Sequence, residues 1–178
     1  MTARPPSPYD FLPPVPSFSL TSSVLADGEM LAMPQVSGIL GAGGEDVSPD
    51  LAWSGFPEET QSFVVTCFDP DAPTGSGFWH WTMYNIASSV TSLAAGAGAG
   101  DGSGLPDGAR HLKHDGGGPG YIGAGPPPGH GPHRYFFAVH ALSVPSLPIS
   151  DDVSNAVCGF NMFGNVLARA VLTPIWER

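Results

Sequence analysis

Two stretches of this chain concentrate side chains able to bind an anion or a metal. Residues 69–81 read DPDAPTGSGFWHW and hold Asp69, Asp71, Trp79, His80 and Trp81. Residues 123–135 read GAGPPPGHGPHRY and hold His130, His133, Arg134 and Tyr135. Carboxylates beside histidines can ligate a metal, or a carboxylate can favour the charged form of a histidine, which then donates hydrogen bonds to an anion. Each residue also has an ordinary reading. Asp69 and Asp71 lie beside prolines, where aspartate commonly closes turns. His80 alternates into a strand and suits a core histidine equally well, whereas His133 stands at a loop-to-strand junction, where binding residues concentrate. His111, His114, His130 and His140 read as structural or solvated, Arg134 as a partner for a carboxylate such as Asp71, and Trp53, Trp79 and Trp81 as core or pocket wall.

Strands must position these groups. Ser62–Phe68 is apolar on both faces and β-branched at Val64, Val65 and Thr66, the pattern of a central strand. Trp79–Ile86 alternates, with His80, Thr82 and Tyr84 expected on one side and Trp79, Trp81 and Met83 on the other. His133–Ala141 is a further strong strand. If the strands carrying the two stretches are neighbours in one sheet, Asp69, His80, His133 and Tyr135 meet at its edge. Period-2 alternation around Phe18–Ser22 and the runs Leu51–Trp53, Arg110–His114 and Val171–Trp176 suggest more strands. Residues 33–50 and 116–132 read as irregular loops, and the Gly/Ala-rich residues 93–108 as a mobile surface loop. After Pro148, apolar residues at helical spacing predict helical pieces from about Val153 to Ala168, capped by Ser150 and interrupted by Gly159 and Gly164. The connections are too short for repeated βαβ units. The fold expected is mainly β, sandwich-like, with antiparallel or mixed sheets and short C-terminal helical segments. Residues 1–16, with six prolines, read as an arm lying against the body through Tyr9, Phe11 and Leu12, and residues 17–178 as a single domain. Ala72–Pro73 is a candidate cis bond.

Composition narrows the function. The chain has 178 residues, 42% of them hydrophobic, enough for one core despite 24 glycines and 20 prolines. A net charge of -10 gives little gain from counterion release on nucleic acid and repels anionic lipid surfaces, so neither nucleic acid nor stable membrane insertion is expected. The N-terminal residues lack the apolar stretch of a secretory signal, and no run is long enough to span a bilayer. Cys67 and Cys158 are too few for a disulfide scaffold. A cytoplasmic protein is expected.

DPDAPT followed by WHW, and then GPP-x-G, HRY and an apolar strand, resemble the phosphatidylethanolamine-binding protein family, closest to its small bacterial and archaeal branch. The resemblance runs from about Ser17 to Ile175. It implies a β-sandwich-like fold and a small anion pocket at Asp69, His80, Gly125, Pro126, His133 and Tyr135, with Asp71 and Pro73 shaping the loop and no family-wide reaction. It also implies a homodimer. Animal members commonly carry two adjacent histidines where this chain has Trp79-His80, and the long C-terminal helix of eukaryotic members has little room after Ile175. Kinase-inhibitor roles are therefore not carried over. Beside the resemblance, Asp69 in an anion pocket makes physical sense if it holds a histidine in its donating form. His80, His133, the Tyr135 hydroxyl and glycine backbone N–H groups then supply donors, while Pro126, Pro127 and Pro128 shape the rim.

The reading is a non-enzymatic binding module, without cofactor or metal, for phosphate-like groups: a phospholipid headgroup such as phosphoethanolamine, or a phosphorylated or carboxylated small ligand. The alternative is a metal-dependent hydrolase using the same Asp/His cluster, against which stand the absence of HExxH and GxSxG spacings. Anion binding by charged histidines weakens as pH rises through their titration, near ~6.5 when unperturbed, and metal binding strengthens.

Overall fold

β3 (Ser62–Asp69) takes the central place that a strand apolar on both faces requires. In the computed structural model, which describes residues 4–178, it pairs antiparallel with β4 (Phe78–Ala87) and β8 (Phe136–Leu142). β6 (Arg110–His111) and β9 (Val166–Leu172) complete a five-stranded sheet in the order β6-β4-β3-β8-β9. A smaller antiparallel sheet holds β1 (Ser19–Thr21), β2 (Leu51–Ser54) and β5 (Ser92–Leu93). β7 (His133–Arg134) pairs with β10 (Ile175–Trp176).

The period of two along the strands builds two cores. Phe63, Val65 and Cys67 of β3, Trp81 and Met83 of β4, and Phe137 and Val139 of β8 form one buried cluster with Leu20, Leu51, Trp53 and Leu93 of the smaller sheet. Val64 and Tyr84, from the opposite face, form a second cluster with Cys158 and Met162 of the helix α1 (Asn155–Met162). Among the described residues the fold is mainly β, with antiparallel sheets and one short α-helix, as the sequence predicts.

Several local expectations are corrected. The helix stops at Met162, and Gly164, at φ 83°, turns the chain into β9, where Ala168 and Ala170 face the core. Helix therefore does not reach Ala168, because the alternating small residues there fit a strand beside β8. The cap is Ser154, whose hydroxyl accepts from the Val157 N–H at 3.3 Å, rather than Ser150. The run from His133 to Ala141 is broken at Tyr135, whose N–H donates to the Pro174 carbonyl and so leaves the β3 ladder. The Gly/Ala-rich segment is pinned, not free: the Gly98 N–H donates to Ser48 Oγ at 2.8 Å, its carbonyl accepts from Tyr121, and a Cβ at Gly98 would strike both side chains. Its small residues are a packing requirement. The Ala72–Pro73 bond is trans. Of the arm's three expected anchors, Tyr9 packs against Phe136 and His140, while Phe11 and Leu12 are exposed. No helix among the described residues is long and apolar enough to cross a membrane.

Candidate functional site

Antiparallel pairing places the end of β3 beside the start of β8, with Phe68 opposite Phe136. The loops beyond those ends therefore meet, as adjacency of the two strands requires. Asp69 Oδ2 lies 2.7 Å from His133 Nδ1, and both side chains are almost wholly buried. Asp69 Oδ1 accepts the backbone N–H groups of Asp71 at 2.8 Å and Ala72 at 3.1 Å. The turn-closing and histidine-holding readings of Asp69 thus hold together, one for each oxygen. A carboxylate only accepts, so His133 Nδ1 carries a proton. His133 Nε2 is 2.7 Å from His130 Nδ1, which completes an Asp69–His133–His130 chain.

His80 arrives by a register irregularity. Cys67 pairs with Trp81 and Phe68 with Trp79, so β4 carries one residue more than β3 between these rungs, and that residue is His80. Thr82 and Tyr84 lie on the helix side and Trp81 and Met83 on the core side, but His80 and Trp79 exchange faces relative to simple alternation. His80 packs against Tyr135, with centroids 5.2 Å apart, and against Phe78 at 4.8 Å. Trp79 turns the other way onto Phe68 at 4.5 Å. His80 Nδ1 sits 2.9 Å from the Ile122 carbonyl, so it donates there and leaves Nε2 as the free nitrogen of the neutral ring. Burial pushes the His80 pKa down, only partly offset by the Ile122 carbonyl and the Asp69 charge. His80 is an acceptor here, not the charged donor expected.

A cavity of about 230 Å³ opens among these groups. Asp69, Pro73, His80, Gly125, Pro126 and His133 line it. Pro127, expected on the rim, completes the wall with Leu40, Ala72, Thr74 and Phe78, none of which the motifs assign to the site. Gly125 is required for a close approach, because a Cβ there would run into the Leu40 side chain. Tyr135 stands behind His80: its ring is buried, its hydroxyl has no hydrogen-bond partner among the described residues, and burial pushes its phenol up, so it stays protonated. Trp81 is core, in contact with Tyr121. Asp71 faces Arg134, with Nε and Nη2 each 2.8 Å from one carboxylate oxygen and the Arg134 N–H at 2.9 Å. Burial raises the Asp71 pKa, but the Arg134 guanidinium outweighs it and holds the carboxyl low. That pair ties the β3–β4 loop to β7.

Two participants escaped the sequence reading. The spacing His130-x-x-His133 is a visible signal in the sequence, but His130, expected to be structural or solvated, is exposed and also bonded to His133. Asp46 had no local signal, since its partners are distant in sequence. Its Oδ2 accepts from Gly38 at 2.9 Å and Ile39 at 3.0 Å, and its Oδ1 from Gly123 at 2.8 Å, which seats Leu40 against the Gly125 segment. Among the described residues, no three His, Cys, Asp or Glu side chains gather as a metal-ligand set.

Comparison with known proteins places this arrangement in context. Residues 21–177 match the family described as phosphatidylethanolamine-binding protein. The UPF0098 protein YbcL of Escherichia coli K12 is 45% identical over 161 residues, covering 90% of this chain and 88% of the relative. The UPF0098 protein YbhB of the same organism is 43% identical over 158 residues, covering 89% of this chain and 99% of the relative. The crystal structure of E. coli YbcL superposes with a TM-score of 0.88, covering 91% of this chain and 99% of that one. A phosphatidylethanolamine-binding protein from Plasmodium vivax, at 16% identity and covering 97% of this chain and 90% of that one, shares the fold with a TM-score of 0.61.

Proposed function

The chain belongs to the phosphatidylethanolamine-binding protein family, and we propose that it is a binding module whose histidine cavity takes a small phosphate-type oxyanion without a chemical step. The observation that carries this reading is the pairing of the Asp69–His133–His130 chain with the free His80 Nε2 on one cavity of about 230 Å³. A phosphate or phosphomonoester monoanion offers both hydrogen-bonding modes that these groups need. Its P–OH donates to His80 Nε2, and a P–O⁻ oxygen accepts from His133 Nε2 once the exposed His130 turns away. Asp69 balances the charge this places on His133, and because its own oxygens are already engaged, its repulsion of the ligand is reduced. Phosphoethanolamine, the soluble core of the headgroup in the family's name, is one ligand of this type.

The proton that the ligand donates to His80 Nε2 is lost as pH rises, because the second pKa of a phosphomonoester is ~6. Calorimetric titration with phosphate and phosphoethanolamine is therefore expected to show tighter binding at pH 5.5 than at pH 8. Tighter binding at pH 8 would sink the reading. Stoichiometric zinc in purified protein, together with phosphate release from phosphoethanolamine, would replace it with hydrolysis.

A further inference from the structure

A second cavity, of about 350 Å³, lies on the other face of the five-stranded sheet, between α1 and the N-terminal arm. Its walls are apolar: Tyr9, Leu12 and Val15 from the arm, Trp79 from β4, and Met162 and Val166 beyond. Arg169 of β9 is the one Asp, Glu, Lys or Arg side chain that lines it. The Arg169 guanidinium stacks 4.5 Å from the centroid of the Tyr9 ring and donates through Nε to His140 Nδ1 at 3.2 Å. Among the described residues its Nη groups make no hydrogen bond, and no carboxylate lies within 4.0 Å of it.

His140 does not neutralise that charge. A guanidinium cannot accept, so His140 Nδ1 is the acceptor and its proton sits on Nε2, which donates to Thr66 Oγ1 at 3.2 Å. Burial, reinforced by Arg169 itself, pushes the His140 pKa down to about 3, so the ring is neutral at physiological pH. Arg169 is thus a half-buried cation with neutral neighbours in an apolar groove, and its unpaired Nη groups can take an incoming anion without displacing another carboxylate.

We propose that this groove binds a medium-chain monocarboxylate of the fatty-acid class. The carboxylate pairs with the free Nη groups of Arg169, and the alkyl tail lies along Trp79, Met162 and Val166 toward the exposed rim at Leu12 and Phe163. A carboxylate fits better than a phosphate dianion because one charge must leave water for an apolar site that offers one cation. The volume is at the small end of ligand pockets, ~300–1,000 Å³, and suits one chain rather than a diacyl lipid. The net charge of -10 does not forbid an anion here, since surface charges beyond about 8 Å are screened at physiological salt while Arg169 acts at contact.

The test is calorimetric titration of the full chain with decanoate and with decan-1-ol. Decanoate is expected to saturate at one per chain and decan-1-ol to bind at least about tenfold more weakly. Arg169→Gln should weaken decanoate roughly tenfold to a hundredfold and leave decan-1-ol unchanged. Gly159→Phe provides a second variant: Gly159 lines the groove from a helical position where a Cβ meets nothing within 4 Å, and replacing glycine favours the helix. It should abolish decanoate binding without lowering the unfolding midpoint. Equal affinity for acid and alcohol, undiminished binding by Gly159→Phe, or no saturable binding by the wild type overturns the proposal. Competitive displacement of decanoate by phosphate assigns it to the histidine cavity and also overturns it. So does a doubled light-scattering mass that Gly159→Phe reduces without decanoate saturation, since a second copy then fills the groove.

Discussion

His133 has both ring nitrogens engaged, and this sets what its neighbours do to affinity. A ligand reaching Nε2 competes with His130, and one net hydrogen bond is worth about 0.5–1.5 kcal/mol. His130→Ala is therefore expected to tighten phosphate binding by roughly twofold to tenfold in calorimetry; unchanged or weaker binding would show that His130 is not a competitor. Asp69→Asn keeps the shape but weakens the hold on His133, and should lower stability by about 1–3 kcal/mol in urea unfolding as well as weaken phosphate. Sequence motifs did bring Asp69, His80, Gly125, Pro126 and His133 to one cavity. They could not separate Tyr135, Asp71, Trp79 and Trp81 from it, because a motif records neighbours along the chain and not the direction of each side chain. His80 shows why: one extra residue in β4 decides which face it takes, and no local pattern in WHW announces that residue.

Among the elements, α1 and the turn that leads from it into β9 each hold a glycine, with opposite demands. Gly164 sits at φ 83°, where a Cβ is strained, whereas Gly159 is helical with open space around it. Gly164→Ala is expected to destabilise by about 1 kcal/mol and Gly159→Ala to stabilise by about the same amount, both read from urea midpoints. Equal signs would mean that the helix end is misplaced. β3 is legible as an unbroken apolar, β-branched run, and β4 beyond Trp81 as a clear alternation. The β9 segment was not, because Val-Leu-Ala-Arg-Ala-Val suits a helix equally well until the β8 edge fixes it as a strand. The break at Tyr135 was hidden likewise, since β10 claims β7 from the far end of the sequence.

For the molecule as a whole, the buried histidines set the pH response. Burial lowers the pKa of His80, His111, His114 and His140, so the unfolded chain binds more protons than the folded one below ~6.5, and stability falls as pH drops from there. His140 alone, held down to about 3, should cost about 2 kcal/mol between pH 7.5 and pH 5. His140→Gln should shrink the difference between urea unfolding free energies at those two pH values by about that amount; an unchanged difference would show that His140 does not carry it. Composition announced one acidic, glycine-rich folded body but not this response, which depends on which of the six histidines the core encloses. The arm has a last consequence at this scale. Arg169 donates its backbone N–H to Pro16, Arg134 reaches the Pro5 carbonyl, and Arg4 reaches Pro132. β9 is an outer strand of its sheet, and proline offers carbonyls to such a strand while having no N–H with which to extend the ladder. The arm thus occupies a sheet edge and ends it at the same time, leaving a second chain less of a template on which to add a strand and start aggregation.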